Sequence, residues 1–469
     1  MSCPLASFPF STPYDPSEDP PTSIDPLGTV AEAERLAEVL LPGVTGRMWR
    51  ARLLTFSAVT ALVADRVVTL RGHDDVRVDA RLAFERLYVS ALVRHVNDEG
   101  MASAIRRVPG TDRARLALRT GEPLTRSNFL KGQSINGPTG VMARLARNLG
   151  IVDDDGLLGP RSLDVLLAWS KDEELPGVLD DKRREGGEGS KLVTRFADAT
   201  DAVLRGEWPG DQSGIWAELV NRLRPDRAGR AERRTLVQLL WKDPTSVRGR
   251  FLDLLKEGRE TWIDQRPDGR AVAERAVLRG VEPGDTREDQ LIATVLEAID
   301  VYEQASAALQ AIFDAVRWYL SAKGAAALSA VLSDARVAGS LERARRRIPK
   351  IVGAIEAALA KMEAEPSLSS VLEPLRQVRD DLSRAGLAPE AMVEAIFDRH
   401  DRVQREKRKG RWIERGERLV LMPGFGLDGD APPKYDGLYL HPLRVANTYS
   451  MLTDLGVVRG GHDAEAQDN

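Results

Sequence analysis

Beginning at Asp285, the apolar residues Leu291, Ile292, Val295, Ile299, Tyr302, Leu309, Ile312, Phe313, Val316 and Leu320 recur every three or four positions until Gly324. That spacing puts them on one face of an α-helix; a strand would need strict alternation. Asp285 and Glu288 make a capping-box-like pair at its start, and Gly324 supplies its stop. At about 1.5 Å per residue the predicted helix is about 50 Å long. A stripe of that length is buried most simply against other helices, so the predicted fold is mainly α. Helical runs at 340–363, at 367–385 with Pro374 inside, and from Pro389 to about residue 408 complete an expected antiparallel long-helix bundle over 285–408.

The rest of the chain reads as a series of smaller helical regions. Residues 1–26 hold seven prolines among Ser, Thr and Asp, which favours an extended, solvated tail. Helical spacing then begins, with helices expected near 27–41, 46–70 and 79–97 in a domain spanning 27–175. Within it, 132–170 changes order. Gly137 and Pro138 start a helix that stops at Gly150, Ile151-Val152 and Leu157-Leu158 bracket an Asp155-Gly156 turn, and Pro160 opens another helix through Trp169. Two short helices joined through a tight hairpin are the minimal content of a winged helix. Residues 176–190, rich in charge and glycine, read as a linker, and 191–284 as a helical region with Trp208, Trp216, Trp241 and Trp262 in its core. After Gly410 the pattern turns to a hairpin, Arg411-Trp412-Ile413 against residues 418–422. A Gly/Pro/Asp loop and a helix at 442–454 complete a region of 409–459, and 460–469 is a polar tail. No fixed-period repeat demands a solenoid.

Composition narrows the chemistry. At about 150 residues per domain, 469 residues suggest about three units. The chain has 67 basic and 71 acidic residues, a formal charge of −4, which argues against a generally basic nucleic-acid coat but leaves local patches open. No run approaches the roughly 18 apolar residues of a membrane span, so a cytoplasmic protein with no membrane partner is expected. The one cysteine, Cys3, and five histidines exclude disulfide frameworks and thiolate zinc sites, and no cofactor is expected.

The motifs that carry chemistry elsewhere read here as ordinary sequence. Gly424-Phe425-Gly426-Leu427-Asp428-Gly429 has the letters of a dinucleotide fingerprint, but Asp430-Ala431-Pro432-Pro433 follows where the helix must start. His73-Asp74 and His400-Asp401 resemble metal-phosphohydrolase doublets without the further ligands a site needs. Asp153-Asp154-Asp155-Gly156 lacks the remaining EF-hand ligands and reads as a wing turn. No nucleophile elbow is present, Cys3 has no fixed base beside it, and no catalytic residue is assigned.

Basic surfaces are the stronger signal, even discounting a general arginine bias of 55 Arg to 12 Lys. The helix after Gly137 carries Arg144 and Arg147, with Lys131 and Arg161 nearby, positions suited to phosphate or base-edge contact if that helix enters a groove. Residues 222–250 hold a local net charge of about +6, including Arg230, Arg233 and Arg234. Arg343, Arg345, Arg346, Arg347 and Lys350 form a further cluster. Arg405, Arg408, Lys409 and Arg411 flank Trp412, which suggests backbone contact with a stacked base. The expectation is a non-enzymatic adaptor that binds DNA and other protein subunits. A protein-only helical scaffold and a divergent metal-dependent nuclease or phosphohydrolase stay open as alternatives.

Asp25-Pro26-Leu27-Gly28, the run from Leu40 through Arg47 (Leu-Leu-Pro-Gly-Val-Thr-Gly-Arg), Arg50-Ala51-Arg52 and the winged-helix-like segment cover roughly the first third of the chain. In these pieces the chain resembles uncharacterised proteins encoded in bacterial antiphage-defence and mobile-element loci. Met48-Trp49 and Leu53-Leu54 depart from that pattern. The resemblance implies a defence assembly as context and no particular reaction.

Overall fold

The computed structural model describes residues 25–95, 102, 105–180, 186–241, 247–385, 388–435 and 437–459. Cys3, Asn97, Lys242, Asp243, Gly386, His462, nearly all of the proline-rich tail, part of the 176–190 segment and the polar C-terminal tail lie outside these residues. The protein is mainly helical, with a small three-stranded antiparallel sheet near the C-terminus. It divides into two compact units, one of Met1–Ala33 with Glu297–His441 and one of Glu34–Leu296 with Pro442–Asn469. The 176–190 segment therefore has the same unit on both sides of it. Gly189 N–H donates to the Pro176 carbonyl at 2.9 Å, and the Ser190 hydroxyl, fully buried, donates to the Asp180 carbonyl.

In the first unit the long helix is present as Arg287–Lys323, continuous with residues of the second unit. Its start differs from expectation by one residue. Thr286 and Asp289 exchange the capping-box bonds, Asp289 N–H to Thr286 Oγ1 at 3.1 Å and Thr286 N–H to Asp289 Oδ2 at 3.4 Å. Gly324, at φ +68°, ends it by donating to the Leu320 carbonyl. Helices Ala335–Met362, Ser369–Ala385 and Pro389–Glu406 follow, the first capped by the Asp334 carboxylate on the N–H groups of Arg336 and Val337. The expected C-terminal hairpin forms from β2 (Ile413–Glu414) and β3 (Leu419–Leu421), and β1 (Ala325–Ala326) adds to the outer side of β3. The motif Asp25-Pro26-Leu27-Gly28 docks on helix Pro389–Glu406: Arg399 Nε donates to the Leu27 carbonyl at 2.7 Å, and Lys407 pairs with Asp25 at 2.9 Å. Gly28 fits there because its φ is +67° and a Cβ would meet Val403 at 2.8 Å.

In the second unit helix Leu53–Arg71 is buried on all sides and packs against helices Arg77–Arg94, Pro138–Asn148 and Glu188–Leu204. By length and composition it is the one helix among the described residues apolar enough to cross a membrane, with mean hydropathy 1.6, yet 78% of that window is buried inside the protein. Two of its polar side chains bond within the helix, Thr60 to the Phe56 carbonyl and Ser57 to that of Leu53. Phe56 stacks on Tyr88 at 4.1 Å and on Phe84, which in turn meets Phe196, a ring cluster worth about 1 kcal/mol per pair beyond its burial. Arg52, 2% exposed, is held by Glu232, Glu173 and the carbonyls of Arg222 and Arg224.

Candidate nucleic-acid interface

A buried carboxylate sets the geometry of the segment expected to resemble a winged helix. Glu85, on helix Arg77–Arg94, is fully buried and accepts the N–H of Thr139 at 3.0 Å, the Thr139 hydroxyl, and the amide of Gln133 at 2.9 Å. Gln133 also bonds Arg86 and the Leu82 carbonyl, so one polar cluster ties together helices Arg77–Arg94, Gln133–Asn136 and Pro138–Asn148. Burial pushes the Glu85 carboxyl upward against the pull of these donors. Gly137 and Gly140 permit the approach: a Cβ on Gly140 would lie 2.5 Å from the Ser134 carbonyl, and one on Gly137 would overlap the Glu85 carboxylate.

Helix Pro138–Asn148 buries Val141, Met142, Leu145 and Ala146 and exposes Arg144 and Arg147. The expected two-stranded wing is reduced to one antiparallel bridge, Val152 to Leu158, closed where the Asp153 carboxylate accepts the Leu157 N–H at 2.7 Å. Only one residue pair has ladder geometry because the turn uses Asp153 itself. Helix Ser162–Asp172 follows.

Three depressions beside this helix share Ser134 in their linings and are together termed the Ser134 trough. One of about 570 Å³ lies between Leu116 and the loop at 126–134, with Arg113, Arg126, Lys131, Ser127 and Asn128 on its wall. A second, about 180 Å³, runs between the helix and the turn at 153–156 and is lined by Arg81, Arg147, Asp153 and Asp154. The third, about 370 Å³, lies on the helix's other side, beside Arg47, Arg144, Arg147 and Glu34. The cations outnumber the acids. Arg113, Lys131 and Arg147 have no ion pair among the described residues, whereas Arg144 pairs with Glu38 at 2.9 Å and Arg126 with Asp79 at 3.3 Å. Arg81 is held below the usual guanidinium range by burial, with Glu85 and Asp153 opposing and the neighbouring Arg147 cation adding to the depression. Arg86 is lowered likewise, by burial and then by Arg126, against Glu85 and Asp79.

Of the basic residues that the sequence marks out, the structure brings Lys131, Arg144 and Arg147 together here. Arg161 is exposed and paired with Asp164 at 2.7 Å, outside the trough lining. Arg230, Arg233 and Arg234 are exposed on helix Arg230–Trp241, with Arg233 bonded to the Ala228 carbonyl. The rest of the 222–250 charge is dispersed: Arg222 bonds Glu173, Arg224 bonds Asp226, Arg250 bonds Asp289, and Arg248 is buried against the carbonyls of Leu240 and Pro42. In the other unit Arg405, Arg408 and Lys409 are exposed and Arg411 pairs with Asp401 at 3.1 Å. Trp412 does not offer a stacking face. It is 5% exposed, stacked on Phe425 at 4.6 Å and covered by Arg317 at 4.9 Å, because the hairpin turns its first side chain into the unit's core. Arg47, Arg81, Arg113 and Arg126 are not among the contacts expected from the sequence, although Arg113 and Arg126 lie in an arginine-rich stretch from Arg106 to Arg126 and Arg47 stands close to Arg50 and Arg52.

The other motifs are structural. His400 Nε2 accepts the Trp412 N–H at 3.0 Å and its Nδ1 faces the Pro26 carbonyl at 2.9 Å, which leaves neither nitrogen for a metal. The Gly424–429 loop is held by Arg317 and Trp318 bonding the carbonyls of Gly426 and Gly429, and no helix follows it. Thr29, His441 and Glu303 form a hydroxyl–imidazole–carboxylate array, with 3.0 Å from Thr29 Oγ1 to Nε2 and 2.5 Å from Nδ1 to Glu303 Oε1. All three are buried, Glu303 also accepts the N–H groups of Leu440 and His441, and the array works as a lock on the loop before helix Val30–Leu40. Compared with known proteins, the chain matches no protein-family model, no curated protein and no solved structure.

Proposed function

We propose that the Ser134 trough is a nucleic-acid-binding surface and that the protein is a non-enzymatic adaptor in a bacterial defence assembly, the context its N-terminal resemblance implies. The observation that carries the reading is the convergence of Arg47, Arg81, Lys131, Arg144 and Arg147, from four separate parts of the chain, on depressions that share Ser134, where these cations outnumber the acids Glu34, Asp153 and Asp154. Gathering like charges costs free energy that a polyanion's phosphates recover on binding. An acidic overall chain with one such patch suits local phosphate contact more than a general coat.

The test is fluorescence polarisation of labelled DNA at about 50 and about 200 mM salt, where a surface making several phosphate contacts weakens by orders of magnitude. Arg144→Glu combined with Arg147→Glu is expected to abolish retention. Because Arg144 also pairs with Glu38, Arg147→Glu alone is measured beside it, with the thermal midpoint as the control for folding. Full retention by the folded double variant rejects this surface, and no binding at either salt concentration rejects the reading and favours a protein-only scaffold.

A further inference from the structure

Resting on that reading of the trough, we propose that its ligand is a single strand of nucleic acid, which runs from the Arg47/Arg144/Arg147 end past Ser134 into the hollow at Arg113, Arg126 and Lys131. Three features separate this from a duplex held by a groove-inserted helix.

The first is relief. A helix that enters a major groove about 12 Å wide must stand clear of its neighbours. Helix Pro138–Asn148 instead has a wall on each side, the turn at 153–156 across the depression lined by Ala146 and Asp153 and the loop at 45–47 across the depression lined by Gly140 and Arg144. The second is the sign of that turn. Asp154 and Asp155 are exposed at its tip and repel any second phosphate backbone laid across it. The third is a shared lining. Ser134 belongs to the lining of all three depressions, and the floor around it is made of small residues, Gly132, Gly140 and Ala143. One flexible line of phosphates can bend along such a floor, while the hollow offers Ser127 and Asn128 beside the cations as hydrogen-bond groups for sugar or base. No aromatic side chain is exposed on the lining, so recognition is by backbone charge and is indifferent to sequence.

The experiment compares labelled oligo-dT, oligo-rU and a hairpin duplex of equal phosphate number on the full chain, across a salt series. Single strands are expected to bind at least about tenfold tighter than the duplex, and the dT and rU arms report whether the sugar matters. Arg113→Gln with Arg126→Gln is expected to reduce the salt slope for single strands by about 1.4, at about 0.7 for each phosphate that is no longer neutralised. Both side chains are exposed, and the thermal midpoint verifies that the variant folds. Duplex binding equal to or tighter than single-strand binding, or an unchanged slope in the variant, overturns the single-strand assignment and leaves nucleic-acid binding standing. Binding of neither by the folded chain overturns both.

Discussion

Arg81 rests on Gly156: its guanidinium donates to the Asp155 carbonyl at 3.2 Å and occupies the space where any Cβ on residue 156 would stand. The contact joins helix Arg77–Arg94 to the tip of the turn at 153–156, and so fixes one wall of the trough. It also holds a partly buried cation beside Arg147, which makes the wall's shape and the trough's charge depend on the same side chain.

Gly156→Ala is therefore expected to act twice. At φ +76° an alanine carries a left-handed-backbone cost of about 1 kcal/mol, and it must also displace the guanidinium. A fall in thermal midpoint together with weaker salt-dependent nucleic-acid binding is the expected pair of results. A stability loss with unchanged binding would show that this wall takes no part in the surface.

Glu85→Ala removes the acceptor shared by Thr139 and Gln133 and leaves buried donors without a partner. Such orphaned groups cost about 1 to 3 kcal/mol each. The expected outcome is destabilisation of at least about 2 kcal/mol in urea unfolding, with faster amide exchange at the start of helix Pro138–Asn148. Exchange unchanged there would mean that the helix is positioned by its apolar face alone.

The legible parts of this protein are those where one face of one element decides the outcome. The stripe from Leu291 to Leu320 specifies its helix, and Arg144 and Arg147 fall on the exposed side of an amphipathic helix as their spacing requires. Choices between near-equivalent local chemistries are less visible. Asp285/Glu288 and Thr286/Asp289 have the same three-residue spacing, and Asp289 wins with Arg250 bonded to it at 2.7 Å from far away in the chain. Strand β1 is two alanines, which show no alternation to read. Charge runs mislead for a similar reason: the 222–250 arginines find carboxylates such as Glu173 and Asp289 outside the run, whereas Arg47, Arg81 and the stretch holding Arg113 and Arg126 line depressions that only the fold brings together.

Arg52 and Glu232 are buried together, at 2% and 0% side-chain exposure, 3.0 Å apart. Arg52→Ala strands a carboxylate that burial already pushes toward its neutral form, with an expected loss of about 3 to 5 kcal/mol. Replacing both, Arg52→Met with Glu232→Leu, is expected to recover a large part of that loss, because the fully buried carboxylate is gone and Glu173 keeps Arg222 at 3.3 Å. Denaturant midpoints of the two singles and the double measure the coupling. Additive effects would show that the carbonyls of Arg222 and Arg224, rather than Glu232, account for Arg52's contribution.

His400 gives the first unit a pH dependence of definite sign. Its Nε2 accepts the Trp412 N–H, so the ring is neutral with its proton on Nδ1 facing the Pro26 carbonyl, and burial holds its folded pKa below the ordinary value of 6.5. As pH falls below about 6.5 the unfolded chain takes up a proton that the folded chain refuses, so stability drops until the lowered folded pKa is reached. Above that range the contribution is complete. His400→Gln keeps an amide donor and acceptor but cannot titrate, so wild type and variant are expected to diverge between about pH 7 and pH 5, by at most about 1.4 kcal/mol per pH unit. Urea unfolding of both proteins across that range measures the difference. A difference that stays constant with pH would contradict the neutral, doubly bonded imidazole.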